Sequence, residues 1–299
     1  MFYGLKDRIR RARFANQCGT ILRSPPIAID TSSSVALVSQ IQHKDVLLYL
    51  LALKSFARRI AIRAVHVLDD GSLLAADRAL LQQHVPGIVW HALEEFRSAA
   101  CPTGGTWERL LAIAALVHDQ YIVQLDSDTL TIGAIDEVRQ CVARQVAFAL
   151  GTWDRQKIRS MPERWEYARK VGGRGAEHVQ VVAESHFDRL RDFDSMRYVR
   201  GCSGFAGFPP RSFERGFVED VSVQMRAAIG AKWDKWGSEQ VMSNIVVANA
   251  PDAIVLPHPK YADCHKMIPG VTEFIHFIGS CRFDGGLYGR LGAELIATL

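Results

Sequence analysis

Apolar runs of two different periods alternate along the first half of the chain. Short runs rich in β-branched and aromatic residues predict strands at residues 34–40, 64–68, 87–90, 121–125 and 145–150. Longer runs with helical spacing predict helices at residues 45–56, 73–84, 107–118 and 135–144. Strands that alternate with such helices form βαβ units. The pattern therefore predicts an α/β fold with a mostly parallel sheet flanked by helices.

The pattern changes after residue 150. Residues 151–200 are polar and charged, and they predict helices and loops inserted over one end of the sheet, as a lid or an acceptor-binding region. Later elements are predicted as strands at 198–210, 253–256 and 271–278 and as helices at 212–229, from 238 onward and at 291–299. We expect a basic lead-in at 1–26 and one domain at 27–299, with halves of about 27–150 and 151–299.

Composition excludes several classes of protein. The 299 residues are 48% hydrophobic and 23% charged, with a net charge of +4, so a globular chain is expected and nucleic acid is not an expected partner. The longest apolar runs, such as 46–53, fall well short of the roughly 18 residues that indicate a membrane span. The N-terminus lacks the apolar core of a signal peptide.

The six cysteines include no Cys-x-x-Cys pair, which predicts neither a disulfide framework nor a thiolate zinc site. His258, Cys264 and His265 fit no familiar zinc spacing and are interpreted as structural. The cytoplasm is the simplest compartment for such a chain.

The lead-in carries six basic residues against one acid, Asp7. Phe2, Leu5, Ile9 and Phe14 roughly follow helical spacing. This pattern fits a basic amphipathic helix that brings residues 1–20 into peripheral contact with an anionic membrane. The alternative is an ordinary solvated helix face.

The most informative stretch is the predicted strand at 121–125 with the two acids that follow it, Asp126 and Asp128. Ligands of open α/β sheets bind just past the carboxyl ends of the strands. Two neighbouring carboxylates repel each other unless a cation lies between them, and their oxygens suit Mg²⁺ or Mn²⁺. The sequence thus predicts a divalent metal site here, with a solvated Asp-Ser-Asp turn as the alternative.

Residues 125–130, Leu-Asp-Ser-Asp-Thr-Leu, resemble the Asp-x-Asp motif of nucleotide-sugar glycosyltransferases with the GT-A fold. The similarity is greatest to family 8, the glycogenin and lipopolysaccharide galactosyltransferase-like group. Arg109 lies 17 residues before Asp126, where that family has a basic residue. Residues 239–244 resemble its Asp-Gln-Asp-x-x-Asn stretch, and residues 276–283 resemble its His-x-x-Gly-x-x-Lys-Pro-Trp stretch.

The chain departs from the family pattern at five positions: Arg282 replaces Lys, Phe283 replaces Pro, Glu239 and Val241 replace Asp, and Cys202 replaces Asn. The resemblance implies a GT-A, Rossmann-like fold and a metal-dependent transferase. Such an enzyme would move a sugar, most simply from a UDP-hexose, to a hydroxyl of a glycan, lipid or protein. It would use Mn²⁺ or Mg²⁺.

The expected site residues fall into three groups. Asp126, Asp128 and His276 would hold the metal, with the imidazole nitrogen as the third ligand. The predicted donor-binding residues are Ser39, Gln40, Asp69, Asp70, Arg109, Ser127, Gly279 and Arg282. Arg282 would bind phosphates with its planar fork, and the strand-end residues would bind the base and ribose.

Glu239 and Gln240 are the expected catalytic residues. Glu239 could act as the general base of an inverting transfer. The resemblance implies retention instead, with the donor phosphate assisting the acceptor hydroxyl and Gln240 steadying the oxocarbenium-like centre.

Three alternative functions would fit parts of the same pattern. A nucleotidylyltransferase needs an early Gly-rich phosphate loop, which residues 34–44 lack. A phosphatase of the Asp-x-Asp-x-Thr type has Thr or Val where this chain has Leu130. A non-catalytic nucleotide-sugar-binding protein with the same fold is the third alternative.

Overall fold

The computed structural model describes residues 2–172 and 178–299, and the side chains of residues 2–7, 172 and 280 lie outside the description. Its strands are β1 Val35–Ile41, β2 Ala64–Asp69, β3 Val89–Ala92, β4 Tyr121–Leu125, β5 Thr129–Thr131, β6 Phe148–Leu150, β7 Arg159–Ser160, β8 Arg197–Tyr198, β9 Cys202–Phe208, β10 Ile254–Val255, β11 Tyr261–Asp263 and β12 Phe274–His276. Its α-helices are α1 Phe2–Cys18, α2 Val46–Ala57, α3 Ala75–His84, α4 Trp107–Leu116, α5 Asp136–Arg144, α6 Met161–Gly172, α7 Val179–Glu184, α8 Arg215–Ile229, α9 Ser238–Asn249 and α10 Leu287–Ile296.

Seven strands form the main sheet in the order β10-β6-β9-β4-β1-β2-β3. The pairs β1–β2, β2–β3, β1–β4 and β6–β10 are parallel, and β9 runs antiparallel between β4 and β6. The chain places β2 on one side of β1 and β4 on the other. The crevice between the carboxyl ends of β1 and β4 is therefore a topological switch point, where open α/β sheets bind ligands.

Helices cover both faces of the sheet because the strand side chains alternate. Val35 and Leu37 of β1 join one core with α2, while Ala36 and Val38 join a second core with α4. A strand buried on both faces needs a continuous apolar run, which is what β1 has. The structure confirms the predicted α/β architecture.

A three-stranded sheet in the order β11-β12-β5 accompanies the main sheet. β5 follows directly after Asp128 and pairs antiparallel with β12, so that His276 lies opposite Thr129. Sequence analysis predicted one long strand at 271–278 and did not predict β5 or β11. The pairing brings the end of the chain beside the predicted metal site.

The insertion predicted at 151–200 contains α6, α7 and the short β7–β8 ribbon, and residues 173–177 lie outside the described part. Predicted boundaries moved most at the C-terminus, where α10 occupies Leu287–Ile296 in place of the helix expected at 291–299. Among the described residues, none of the helices has the length and apolarity that a membrane crossing requires.

The lead-in is more closely integrated than its composition suggests. α1 packs against α10, and Phe14, Cys18 and Ile21 are buried in the core. Arg8, Ile9 and Arg13 are exposed. The expected spacing of Phe2 and Leu5 concerns side chains outside the description, and both membrane contact and the domain boundary stay predictions.

Replacing Phe14 with alanine should lower the free energy of unfolding by about 3 kcal/mol. Phe14 is 5% exposed and packs on the rings of Phe283 and Tyr288, at centroid distances of 5.5 and 4.9 Å. Urea denaturation measures the loss. The neighbouring exposed Arg13→Ala is the control and should change stability by less than about 0.5 kcal/mol. Equal stability of the two variants would show that α1 lies outside the core.

Candidate metal centre and active site

The turn after β4 holds the two predicted metal ligands in a fixed geometry. The backbone N–H of Asp126 donates to the carbonyl of Gly204 at 2.9 Å, and the Thr129 hydroxyl donates to the carbonyl of Asp126 at 2.9 Å. Asp128 is 5% exposed. The acids therefore do not form a solvated turn, which was the alternative interpretation.

His276 reaches these acids because β12 pairs with β5. The backbone N–H of Phe277 donates to the carbonyl of Asp128 at 2.8 Å. His276 Nε2 lies 3.1 Å from Asp128 Oδ1 and 3.7 Å from Asp126 Oδ2. Ligand atoms of the three residues all lie within 4.8 Å of one another. Two carboxylates and an imidazole form a ligand set that suits Mn²⁺ and accepts Mg²⁺.

Gly204 of β9 makes room for the imidazole. A Cβ atom at this position would overlap the His276 ring at three atoms, all closer than 3 Å. A side chain here would therefore push the imidazole away from Asp128. The need for a glycine at this close approach explains one of the three glycines in the strand predicted at 198–210.

Two arginines pair with the two acids and neutralise their charge. Arg109 Nη1 of α4 donates to Asp126 Oδ1, and Arg282 Nη2 donates to Asp128 Oδ2. Burial raises the pKa of Asp128, but His276 and Arg282 outweigh it and lower that pKa to about 2. Asp128 is therefore an ionised carboxylate at neutral pH.

The pKa of His276 is shifted by opposing effects. Burial lowers it, while Cys202 and Asp128 beside the ring raise it well above its ordinary value of 6.5. Cys202 Sγ lies 3.2 Å from His276 Nδ1. The thiol is therefore a neighbour that fixes the ring, and it occupies the position at which the resembling family has an asparagine.

Glu239 lies buried on the first turn of α9, next to the metal ligands. Its Oε2 accepts hydrogen bonds from the hydroxyls of Thr106 at 2.9 Å and Ser203 at 3.1 Å. Its Oε1 lies 3.7 Å from Arg109 Nη2. Burial raises the pKa of Glu239 although Arg109 opposes this. Arg109 thus connects Glu239 to Asp126.

Gln240 lies beside Glu239 in the cavity. Its Oε1 accepts the backbone N–H of Ser203 at 3.3 Å. On the same helix, Asn244 Nδ2 donates to the carbonyl of Gly201 at 3.0 Å. These two contacts bind the start of α9 to the start of β9 and hold Gln240 in place.

A cavity of about 390 Å³ collects most of the predicted site. The predicted residues that line it are Arg109, Asp126, Asp128, Glu239, Gln240, His276, Gly279 and Arg282. Gly279 has a φ of 53°, a backbone conformation that favours glycine. Trp236, 77% exposed, also lines its wall.

The remaining predicted donor residues lie outside the lining of this cavity. The Ser39 hydroxyl donates to the carbonyl of Leu125 at 2.7 Å, inside the sheet. Asp69 accepts from Gly71 N and Arg78, and Asp70 accepts from Ser72, so both carboxylates take part in the turn after β2. The side chain of Gln40 is half-buried at the end of β1. Donor contacts of these residues, and of Ser127 between the two acids, stay predictions.

Several residues that contact the site were not predictable from the sequence. Thr106 and Ser203, which bind Glu239, carry no motif, although Thr106 follows two glycines. The structure also pairs Cys264 with Cys281 in a disulfide, which the prediction of no disulfide framework did not include. Their separation of 17 residues gives no spacing signal, and β11 and the turn before Arg282 bring them together.

Comparison with known proteins identifies the fold. The sequence matches no protein-family model and no curated protein. The apo structure of the bifunctional glycosyltransferase WbbM matches with a TM-score of 0.50 at 13% identity, over 91% of this chain and 51% of the WbbM chain. The apo glycosyltransferase GlyE of Streptococcus pneumoniae TIGR4 matches with a TM-score of 0.49 at 10% identity, over 89% of this chain and 62% of GlyE. The galactosyltransferase LgtC, in complex with donor and acceptor sugar analogues, matches with a TM-score of 0.45 at 14% identity, over 88% of this chain and 97% of LgtC.

This chain therefore spans about half the length of WbbM, and the likeness to it shows a shared fold. It confirms the GT-A-like fold expected from the Asp-x-Asp motif and the βαβ pattern.

Replacing Asp128 with asparagine should weaken Mn²⁺ binding at least tenfold, because it removes an ionised ligand that His276 and Arg282 hold in place. Isothermal titration with Mn²⁺ measures the affinity, and circular dichroism checks the fold. Asp70→Asn is the matched control, since Asp70 is a half-buried turn carboxylate outside the lining of the cavity. Unchanged Mn²⁺ affinity in Asp128→Asn would remove Asp128 from the ligand set.

The variant Gly204→Ala tests whether His276 is the third ligand, and it leaves His276 itself unsubstituted. The added Cβ should displace the imidazole of His276 and weaken Mn²⁺ binding, again at least tenfold. Gly216→Ala on α8 is the control, because a Cβ there meets no atom within 4 Å. If both variants bound Mn²⁺ like the parent protein, His276 would not be a ligand.

Proposed function

We propose that the protein is a metal-dependent glycosyltransferase. It would transfer a hexose from a nucleotide-diphosphate sugar, in the first place a UDP-hexose, to a hydroxyl on a glycan, lipid or protein. One observation carries the proposal: the ligand atoms of Asp126, Asp128 and His276 converge at the carboxyl end of the sheet. Two arginines border the same cavity, so it offers both a cation site and cationic side chains to a diphosphate.

Asp126, Asp128 and His276 would hold Mn²⁺ or Mg²⁺. Such an ion supplies Lewis-acid stabilisation of the charge that develops on a departing diphosphate. Arg282 lines the cavity and presents a planar guanidinium whose geometry matches phosphate oxygens. Gly279, three residues earlier, lets the backbone approach the same ligand.

The environment of Glu239 supports retention of anomeric configuration. The carboxylate of Glu239 is surrounded by the hydroxyls of Thr106 and Ser203 and by the guanidinium of Arg109. Glu239 therefore positions Arg109, and its oxygens are poorly placed to accept the proton of an acceptor hydroxyl. Gln240 lies beside it and offers an amide dipole to the cavity. A product of inverted anomeric configuration, observed by NMR, would instead assign Glu239 as the general base.

Thermal melting with nucleotides tests the proposal directly. UDP with Mn²⁺ should raise the melting temperature by about 5 °C at a hundredfold excess over its dissociation constant, because ligand binding to the folded state adds about 2.7 kcal/mol. GDP, CDP and ADP serve as comparisons, and EDTA should abolish the shift.

Two outcomes would contradict the proposal. No shift with any nucleoside diphosphate would show that the cavity binds a different ligand. A shift without release of nucleoside diphosphate from the nucleotide sugar, across a panel of acceptors and water, would make the chain a nucleotide-sugar-binding protein.

A further inference from the structure

A second cavity, of about 560 Å³, lies in the insertion after β6. Five cationic side chains line it against one acid, Glu163: Arg155, Lys157, Arg159, Arg164 and Arg200. The lining therefore carries more positive than negative side chains. We call this the basic cavity.

The chain connects the basic cavity to the active-site cavity. Gly151 and Thr152 line the active-site cavity, and the next residue, Trp153, lines the basic cavity. The Thr152 hydroxyl donates to the carbonyl of Arg200 at 3.1 Å, and Gln156 Nε2 donates to the same carbonyl at 2.7 Å. The segment between the two cavities is therefore fixed by hydrogen bonds, and residues 151–153 are shared between the walls of the two cavities.

A buried carboxylate holds two of the cations in place. Glu184 is fully buried, and its two oxygens lie 2.5 Å from Arg164 Nη2 and 3.0 Å from Arg200 Nε. One negative charge thus faces two guanidinium groups, which leaves an excess positive charge on fixed side chains. Fixed guanidinium groups suit carboxylate and phosphate oxygens because their donors form a planar fork.

The other cations are accessible. Lys157 is exposed, and Arg155 pairs with the exposed neighbour Asp154 at 3.6 Å. Arg159 and Glu163 form an exposed pair at 3.8 Å. Exposed pairs of this kind contribute little and exchange readily for a ligand anion.

Two exposed aromatic rings add a surface for sugar rings. Trp153 is 43% exposed and Tyr167 is 54% exposed, and both line the basic cavity. The guanidinium of Arg164 lies 4.8 Å from the centre of the Tyr167 ring. Aromatic faces bind the apolar faces of sugars, so rings beside cations suit a charged saccharide better than a simple anion.

We propose that the basic cavity binds the anionic part of the acceptor, an acidic glycan that carries uronic carboxylates or phosphate groups. The hydroxyl to be glycosylated would lie in the active-site cavity on the other side of residues 151–153. This assignment rests on the proposed glycosyltransferase function and adds the chemical class of its acceptor.

The test measures binding of three oligosaccharides of equal length by isothermal titration: an oligogalacturonate, a mannose 6-phosphate-bearing oligomannoside and a neutral oligomannoside. At least one anionic ligand should bind at least tenfold more tightly than the neutral one. Its affinity should fall as the salt concentration rises. The anionic ligand that binds more tightly shows whether the basic cavity recognises carboxylates or phosphates.

The double variant Arg155→Ala/Lys157→Ala should weaken that binding tenfold or more. Both side chains are exposed, so the fold should persist. Substitution of Arg164 or Arg200 is avoided because it would remove a partner of the buried Glu184 carboxylate. The control Arg144→Ala/Arg290→Ala removes the same charge from exposed positions on α5 and α10 and should bind like the parent protein.

Failure of this inference is separable from failure of the proposed function. Equal affinity for neutral and anionic ligands, or parent-like binding by the double variant, would overturn the inference while the nucleotide melting shift stands. Tighter binding of a single-stranded RNA oligonucleotide than of either acidic glycan would also overturn it. Binding of an acidic glycan without any nucleotide shift would instead overturn the transferase assignment.

Discussion

Repulsion between two adjacent acids, the buried Asp128 and the partly buried Asp126, is the constraint on which the rest of the site depends. The ligand oxygens of Asp126 and Asp128 lie within 4.8 Å of each other, a repulsion of about 3 kcal/mol or more at an effective dielectric constant of 20. Arg109 and Arg282 neutralise one acid each, and they come from α4 and from the segment after β12. The main sheet, α4 and the C-terminal segment must therefore dock together before the acids can be buried. Charge balance, and not only apolar packing, ties these elements into one unit.

The sequence predicted which side chains form the site better than it predicted the strand pairing that brings them together. Asp126 and Asp128 were recognisable because they end a strongly apolar strand, and His276 because it precedes a glycine and an arginine in a familiar order. β5 was not predictable, since a strand of three residues is too short to show a period, and its pairing with β12 depends on contacts distant in the sequence. The position of Asp69 at the end of β2 was predictable, whereas Ser39 lies inside β1 and not after it. The backbone groups that bind their side chains, the Leu125 carbonyl and the Gly71 N–H, were not predictable.

The insertion separates two kinds of charge. The active-site cavity contains a carboxylate pair suited to a cation, and the basic cavity contains a surplus of arginines suited to an anion. Residues 151–153 lie between them on one short segment held by Arg200 and Gln156. In the proposed complex, a cation site beside one end of the ligand and an anion site beside the other would give an extended ligand a direction, because its ends are not interchangeable.

The pairing of β5 with β12 joins residues almost 150 positions apart, with Asp128 bound to His276. A nascent chain that has not yet released Phe274–His276 from the ribosome possesses the carboxylates but neither the imidazole nor Arg282. The charge of Asp128 is then balanced by neither His276 nor Arg282, and the ligand set is incomplete. The centre thus assembles only after β12 has been synthesised and has paired with β5.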